Sequence, residues 1–263
     1  MSAKLRRITI YPIKSLDGVE VGAACVLPSG ALENDRRFAL VDAEGKCVNG
    51  KRTPAIHAIR AEYDLAAMAV RFNHGHQFSL VHNQSEISEY LSKALGIACG
   101  LAENSTTGFP DDTESPGPTL LSTATLAAIT QWFPGLTLEE TRRRFRANLE
   151  IDGVEPFWED HLVGPVDTTV PFQIGAVHWL GINPCQRCVV PTRDSQTAEP
   201  IAGFQKSFAR EREAALPAWA PRDRFNHFYR LSVNTRLAAA QSSGVVRVGD
   251  ALHANLLPSA EPL

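Results

Sequence analysis

Two cysteines three residues apart, Cys185 and Cys188 in the run NPCQRCVVPT, are the side chains of this sequence best suited to soft-metal or redox chemistry. A Cys-x-x-Cys pair has three common uses. One is half of a zinc site, but no second Cys-x-x-Cys or His-x-His pair follows at finger or ribbon spacing. Another is a thioredoxin-like redox pair, which heads a helix in a βαβ unit; here the strand-like VVPT follows instead. The third is a thiolate ligand for a soft metal, with a structural neighbour. Arg187, between the two cysteines, favours thiolate over thiol and can hold an anion. From the pair alone, the metal, redox and structural readings all stay open.

Basic residues beside polar turns form the second group. Lys14 and Ser15 end the run YPIKS, and Asp35-Arg36-Arg37-Phe38 opens another. Arg146-Ala147-Asn148 lies further on, where alternation predicts a strand with Arg144, Arg146 and Asn148 on one face. Singly, each reads as a solvated strand face. Together they make the mix an anionic cofactor needs: Arg for bidentate phosphate contacts, Lys as a point charge, Ser and Asn for neutral hydrogen bonds.

The elements that must position these groups are mostly short strands. Residues 5–12 alternate, with Leu5, Ile8 and Ile10 as inward positions, and VEVGAACVL follows at 19–27. RRFALVDAEGKCVNG reads as a hairpin turning at AEG, and residues 56–63, 67–72 and QFSLV give further short runs. A helix is predicted at 85–96, started by Ser85 or Ser88 and stopped by Gly96. The polar, Pro- and Gly-containing residues 103–118 read as a linker or mobile surface loop. A capped helix at 122–133 comes next, then a strand at 144–151, β-runs at AVHWLGI and CVVPT, and an exposed helix at 204–213. FYRLSVNTRLA and VVRVGDALH return to strands, with a turn at Gly249-Asp250. The expected fold is mainly β with some α, built as barrels or sandwiches. Its expected domains are 1–100 and 119–258, with 101–118 between them.

Composition narrows the class. The 263 residues are 44% hydrophobic and 21% charged, ordinary for a globular protein. A formal charge of −3 gives no reason to expect nucleic acid or an acidic membrane. No apolar run approaches the roughly 20 residues needed to span a bilayer, and the N-terminus lacks an apolar signal-peptide core. A cytoplasmic protein with no membrane partner is the expectation. In a reducing compartment the isolated Cys25, Cys47 and Cys99 read as small buried hydrophobes.

Taken in order, YPIKSLDGVEV and ENDRRFALVD resemble the start of the MOSC N-terminal β-barrel domain. RFRANLEIDG, PFWEDHLVG and NPCQRCVVPTRD resemble the MOSC domain, named for the C-terminal part of molybdenum cofactor sulfurase. The branch most resembled contains the mitochondrial amidoxime-reducing component and its bacterial relatives. The resemblance runs from about residue 8 to about residue 252 and is weakest over 60–118 and 195–225. It implies a β-barrel MOSC domain preceded by a β-barrel-like domain, and the molybdenum cofactor (Mo-molybdopterin). Carried over residue by residue, it implies that Lys14, Ser15, Arg36, Arg146 and Asn148 hold the pterin and its phosphate. Arg187 adds a contact and Cys188 ligates the metal. Ala147 replaces the usual Pro between Arg146 and Asn148.

Two further matches carry alternatives. Ser122 and Thr123, in LLSTATL, are either a pterin contact at a helix start or an ordinary N-cap. Glu159 and Asp160 are either turn residues or a source of protons near the metal, with Asp160 as the catalytic candidate.

The activity implied is an oxidoreductase that reduces N-hydroxylated compounds to the reduced nitrogen compound and water. Electrons are expected from a separate flavin or iron–sulfur reductase, a flavodoxin or a cytochrome b5-like protein. No Cys-x4-Cys-x2-Cys run and no Gly-x-Gly-x-x-Gly fingerprint is visible. A rival reading is a cofactor or sulfur carrier using the same Cys188 without reductase chemistry. A third is a zinc-stabilised binding domain in which Cys185 and Cys188 join remote ligands such as His161 or His178.

Overall fold

In the computed structural model, residues 3–239, 241 and 243–254 are described. The expected second domain therefore ends, at 258, outside the described residues. The chain opens with β1 (Lys4–Ile10), β2 (Val19–Val21), β3 (Ala23–Val26), β4 (Phe38–Val41) and β5 (Cys47–Val48). It continues through β6 (Ala61–Asp64), β7 (Ala69–Phe72), β8 (Gln77–Ser79), helix α1 (Gln84–Leu95) and β9 (Gly100–Glu103). After a long loop come β10 (Leu120–Ser122), α2 (Thr123–Trp132), α3 (Leu138–Phe145) and β11 (Leu149–Asp152). The remainder is β12 (Val170–Ile174), β13 (Val177–Gln186), α4 (Phe204–Ala214), β14 (Arg230–Leu237), β15 (Gly244–Arg247) and β16 (Leu252–Ala254). The fold is mixed, with strands predominating.

The main sheet has eight strands in the order β16-β12-β13-β14-β10-β11-β1-β2. It curls back on itself: Leu5 N donates to Asp250 O (2.8 Å), and Leu252 N to Ala3 O (2.9 Å), joining the β16 side to β1. A bulge between Leu5 and Arg7 shifts the register of β1. That extra residue lets Leu5, Ile8 and Ile10 all face the core, which strict alternation would forbid. The core inside the sheet gathers these three with Leu149, Ile151, Phe172 and Trp179. A second core, with Phe38, Phe72, Ile87 and Leu91, lies among α1 and the small sheets β5-β4-β9 and β6-β7-β8. A third joins α2, α3 and α4 through Phe133, Phe145, Phe204 and Phe208.

The two expected domains are thus interleaved. β1 and β2 belong by sequence to the first segment, yet they extend the sheet of the second, and β3 pairs with β15.

Several local expectations are corrected. Residues 56–58 continue a 3-10 turn begun at Pro54, and the strand starts only at Ala61. Asn83, not a serine, holds the N-cap position of helix α1; Ser88 Oγ instead donates to Gln84 O and accepts from Leu101 N. The strand expected at 144–151 starts at Leu149, because α3 runs to Phe145. Thr137 caps that helix, acids occupy its first turn and arginines its last, all of which favour it over a strand. Pro191 lies in a 3-10 turn, not a strand. Helix α4, expected as exposed, buries Phe204, Phe208 and Arg212.

Cys25 is exposed rather than buried, since Ala24 and Val26 take the inward positions of β3. Cys47 and Cys99 are half-buried. No described helix is long and apolar enough to cross a membrane.

The loop between β9 and β10, expected as a linker or mobile loop, is fastened along its length. Ser29 Oγ donates to Thr106 O (2.7 Å), Phe109 N to Arg36 O (2.8 Å) and Arg236 Nε to Glu114 O (2.9 Å). Gly108 permits the close approach: its φ is +64°, and a Cβ there would sit 2.6 Å from Asp35 O.

Candidate functional site

Where the first segment meets the second, a cavity of about 540 Å³ opens. Lys14, Ser15, Arg36, Arg146, Asn148, Arg187 and Cys188 all line it. These residues come from four separate stretches of chain, and the backbone bends sharply to present them. Tyr11 N donates to Asp35 Oδ1 (2.9 Å) and Arg36 N to Tyr11 O (2.7 Å), locking the segment after β1 against the Asp35-Arg36 turn. Ser15, Arg36 and Arg146 have φ of 73°, 50° and 52°. Left-handed backbone at a non-glycine residue costs on the order of 1 kcal/mol, and such strain tends to collect at functional sites.

Each cation has a defined setting. Arg36 pairs with Asp35 and donates to Asn148 Oδ1 (3.4 Å). Burial disfavours its charge, and Asp35 and Asp111 more than offset that. Asn148 is itself internal: its Nδ2 donates to Thr9 O (3.1 Å), and its Oδ1 also accepts from Thr119 N (3.2 Å). Its amide therefore orients Arg36 and ties β1 to the start of β10. Arg146 lies with its guanidinium carbon 4.1 Å from the Tyr11 ring centroid and donates to Leu16 O (2.7 Å). Burial, together with the nearby Arg36, lowers its pKa.

Lys14 Nζ donates to Phe109 O (2.8 Å) and lies 3.0 Å from Asp111 Oδ1. Burial would raise the Asp111 carboxyl, but Lys14, Lys51 and Arg36 hold it well below the ordinary carboxylate range. Near the thiols, Arg187 Nη2 donates to Phe145 O (2.6 Å) and Nη1 to Cys185 Sγ (3.3 Å). Cys188 is half-buried and free. Three lining atoms, Arg187 Nε, Asn183 Oδ1 and His57 Nε2, are buried without any hydrogen-bond partner. Burial, with Arg146, Arg193 and Arg60 nearby, lowers the His57 pKa and keeps the imidazole neutral.

Four expected residues are not brought to this cavity. Asp160 is buried in the 3-10 turn 158–162 and pairs with the equally buried Arg212 of α4. Its neighbour Glu159 is turned inward too, accepting from Thr125 Oγ1 (3.0 Å). Ser122 is the N-cap of α2, its Oγ accepting from Thr125 N (3.0 Å). Thr123 Oγ1 donates to Glu150 Oε1 (2.7 Å). These side chains are committed to local structure.

The zinc alternative fares no better. His161 stacks on Trp219, His178 faces Gln241, and neither lines the cavity. Among the described residues, no three or more His, Cys, Asp or Glu side chains are gathered to hold a metal by themselves.

Other lining residues were not singled out from the sequence. Asp35 stands beside a chosen arginine, and Tyr11, just behind the wall, stands in the YP pair, so their motifs offered a signal. Lys51, His57 and Asp111 had none, because only tertiary folding carries them here.

A model of the MOSC N-terminal beta barrel domain matches residues 2–99. A model of the MOSC domain matches residues 119–253. "Molybdenum cofactor sulfurase 2" of Culex quinquefasciatus is 23% identical, over 78% of this chain and 32% of its own length. "Molybdenum cofactor sulfurase" of Danio rerio is 26% identical, over 78% of this chain and 30% of its own. The chain thus spans about a third of these relatives. The solved YUAD protein from Bacillus subtilis aligns over 96% of this chain and 94% of its own, at 10% identity and a TM-score of 0.40, too slight a likeness to argue from. With its two domain models matched in order along most of its length, this chain belongs to the MOSC family.

Proposed function

We propose that this protein is a molybdenum-cofactor-dependent oxidoreductase acting on N-hydroxylated compounds. The observation that carries the reading is the convergence of Lys14, Ser15, Arg36, Arg146, Asn148, Arg187 and Cys188 on one cavity. The donor set fits the group. A soft sulfur stands at one side, guanidinium and ammonium groups suit a phosphate, and the unpartnered Arg187 Nε, Asn183 Oδ1 and His57 Nε2 suit a pterin rich in donors and acceptors.

In this reading Cys188 supplies the thiolate to the metal. Arg36, Arg146 and Lys51 hold the phosphate as charge-assisted donors. When bound, the cofactor supplies two-electron oxygen-atom transfer. Asn148 keeps Arg36 aimed at the cavity, and the Tyr11 ring does the same for Arg146. Arg187 braces the thiol turn against the end of α3. The loop carrying Asp111 walls one side and limits water. With Asp160 turned away, proton supply falls to water and to His57, whose neutral imidazole can accept and pass a proton at Nε2. Electrons come from a separate flavin, iron–sulfur, flavodoxin or cytochrome b5-like donor. Five free cysteines suit the cytoplasm.

The test is metal content by mass spectrometry on protein made in a host that synthesises the cofactor. The expected result is near one molybdenum per chain. Cys188→Ser is expected to lower reduction of a simple amidoxime, driven by an artificial donor, by at least about 100-fold. Zinc without molybdenum sinks the reading.

One observation favours a second role: both matched relatives carry the name sulfurase. Wild-type protein that holds molybdenum yet reduces no N-hydroxylated compound is a cofactor or sulfur carrier instead.

A further inference from the structure

A second cavity, of about 450 Å³, runs through the groove between the two segments, behind Arg146. Its walls hold carboxylates and guanidiniums together, so their pairing decides its character. Every carboxylate on the wall is already matched. Asp17 lies 3.2 Å from Arg60, and Glu20 lies 2.7 Å from Arg7. Arg142 takes both Glu139 (3.2 Å) and Glu150 (2.8 Å). Glu62 lies 3.7 Å from Arg71 and 2.8 Å from His74. Among the described residues, three guanidiniums of the same wall are left with no carboxylate: Arg143, Arg146 and Arg193.

These three are placed from different directions. Arg143 projects from the last turn of α3 and Arg146 from its C-cap. Arg193 approaches from the turn after Val190–Thr192. Two of them are steadied by a single backbone acceptor: Arg193 Nη1 donates to Gly50 O (2.6 Å) and Arg146 Nη2 to Leu16 O (2.7 Å). That fixes each fork while leaving its other N–H groups free. Neutral His57, 8% exposed, borders the groove without adding a fourth charge. Cations that share one wall without a counter-charge at ion-pair distance repel one another, and an anion relieves that cost.

We infer that this groove is a second binding site, for a tetrahedral oxyanion held by Arg143, Arg146 and Arg193. The ligand is inorganic phosphate or sulfate, or the phosphate end of a small organic molecule. Arg146, Ser15 and His57 also line the Cys188 cavity, so the two sites share a wall. One guanidinium cannot serve two dianions fully, so occupancy of the groove weakens anion binding in the cavity, and the reverse holds equally. The site rests on the chain's own unpaired charge and stands apart from whether the cavity takes molybdenum.

The test is calorimetric titration of the full chain, free of cofactor, with inorganic phosphate at low ionic strength. Wild type, Arg143→Gln, Arg193→Gln and Lys51→Gln are compared. Two binding events are expected in wild type. Arg143→Gln and Arg193→Gln each weaken the groove event by about ten-fold, while Lys51→Gln, on the cavity wall only, affects the other. Arg143 is exposed, so its substitution leaves folding intact, as circular dichroism will verify.

An unchanged titration in both arginine variants overturns the inference. So does loss of all phosphate binding on Lys51→Gln alone. Sulfate and glycerol phosphate arms identify the source: equal binding of glycerol phosphate supports an organic phosphate, and its exclusion supports a free ion. Molybdenum content is measured separately, so failure of this inference and failure of the proposed function are told apart.

Discussion

At the scale of single residues, burial decides which acids take part. Glu159 and Asp160 are adjacent, and both were candidates for chemistry; the 3-10 turn that holds them sends both inward. Asp160 meets Arg212, which lies between the Phe157 and Phe225 rings. Glu159 has one oxygen without a partner. Burial, then the neighbouring Asp160, pushes its carboxyl up from 4.5 to about 7. A folded-state value above the unfolded one means that the protonated form stabilises the fold. That contribution is complete below about pH 4.5 and is lost as pH rises through 7. Glu159→Gln, permanently neutral, is therefore expected to match wild type near pH 4.5 and to exceed it by about 2–3 kcal/mol at pH 8. Urea unfolding at both pH values measures this; equal midpoints at pH 8 would refute it. Cys185 and Cys188 separate as clearly. Cys185 already accepts from Arg187, so Cys185→Ser is expected to retain molybdenum where Cys188→Ser loses activity.

At the scale of elements, α3 and its end matter most. Arg146 caps that helix in left-handed backbone, a place that favours glycine. Both Arg146→Ala and Arg146→Gly remove the guanidinium, so their difference isolates the backbone. The glycine variant is expected to be the more stable by about 1 kcal/mol in urea unfolding, while both lose anion affinity alike. The same element marks the limit of reading structure from sequence. Alternation in RFRANLEI imitates a strand, and only the cap at Thr137 and the graded charges of the helix argue otherwise. β1, α1, α2 and β14 were legible because their periodicity and turn signals agree. The cavity residues were legible through motifs, in spite of the misread strand: Arg146 reaches the site as a helix cap. His57 and Asp111 were not, since nothing local distinguishes them and only packing of distant segments brings them in.

At the scale of the molecule, the two matched domain models do not correspond to two separable bodies. β1 and β2, at the head of the first, fill positions in the sheet of the second, and β3 pairs with β15. A fragment of residues 119–263 would lack two strands of its main sheet and leave the core around Leu149 and Ile151 open where Leu5, Ile8 and Ile10 belong. Such a fragment is expected to unfold without cooperativity, and adding residues 1–118 in trans is expected to restore a cooperative transition. A sharp thermal transition in the fragment alone would show that the sheet tolerates the loss. The interleaving also sets an order in time. β1 leaves the ribosome well before its partner β11, which ends at Asp152. At 5–20 residues per second the young strand waits roughly 10–30 s for that partner, paired with β2 along one edge and open along the other. That open edge of β1 is exposed to wrong pairing during synthesis rather than in the finished protein, and a chaperone that covers β1 would protect it.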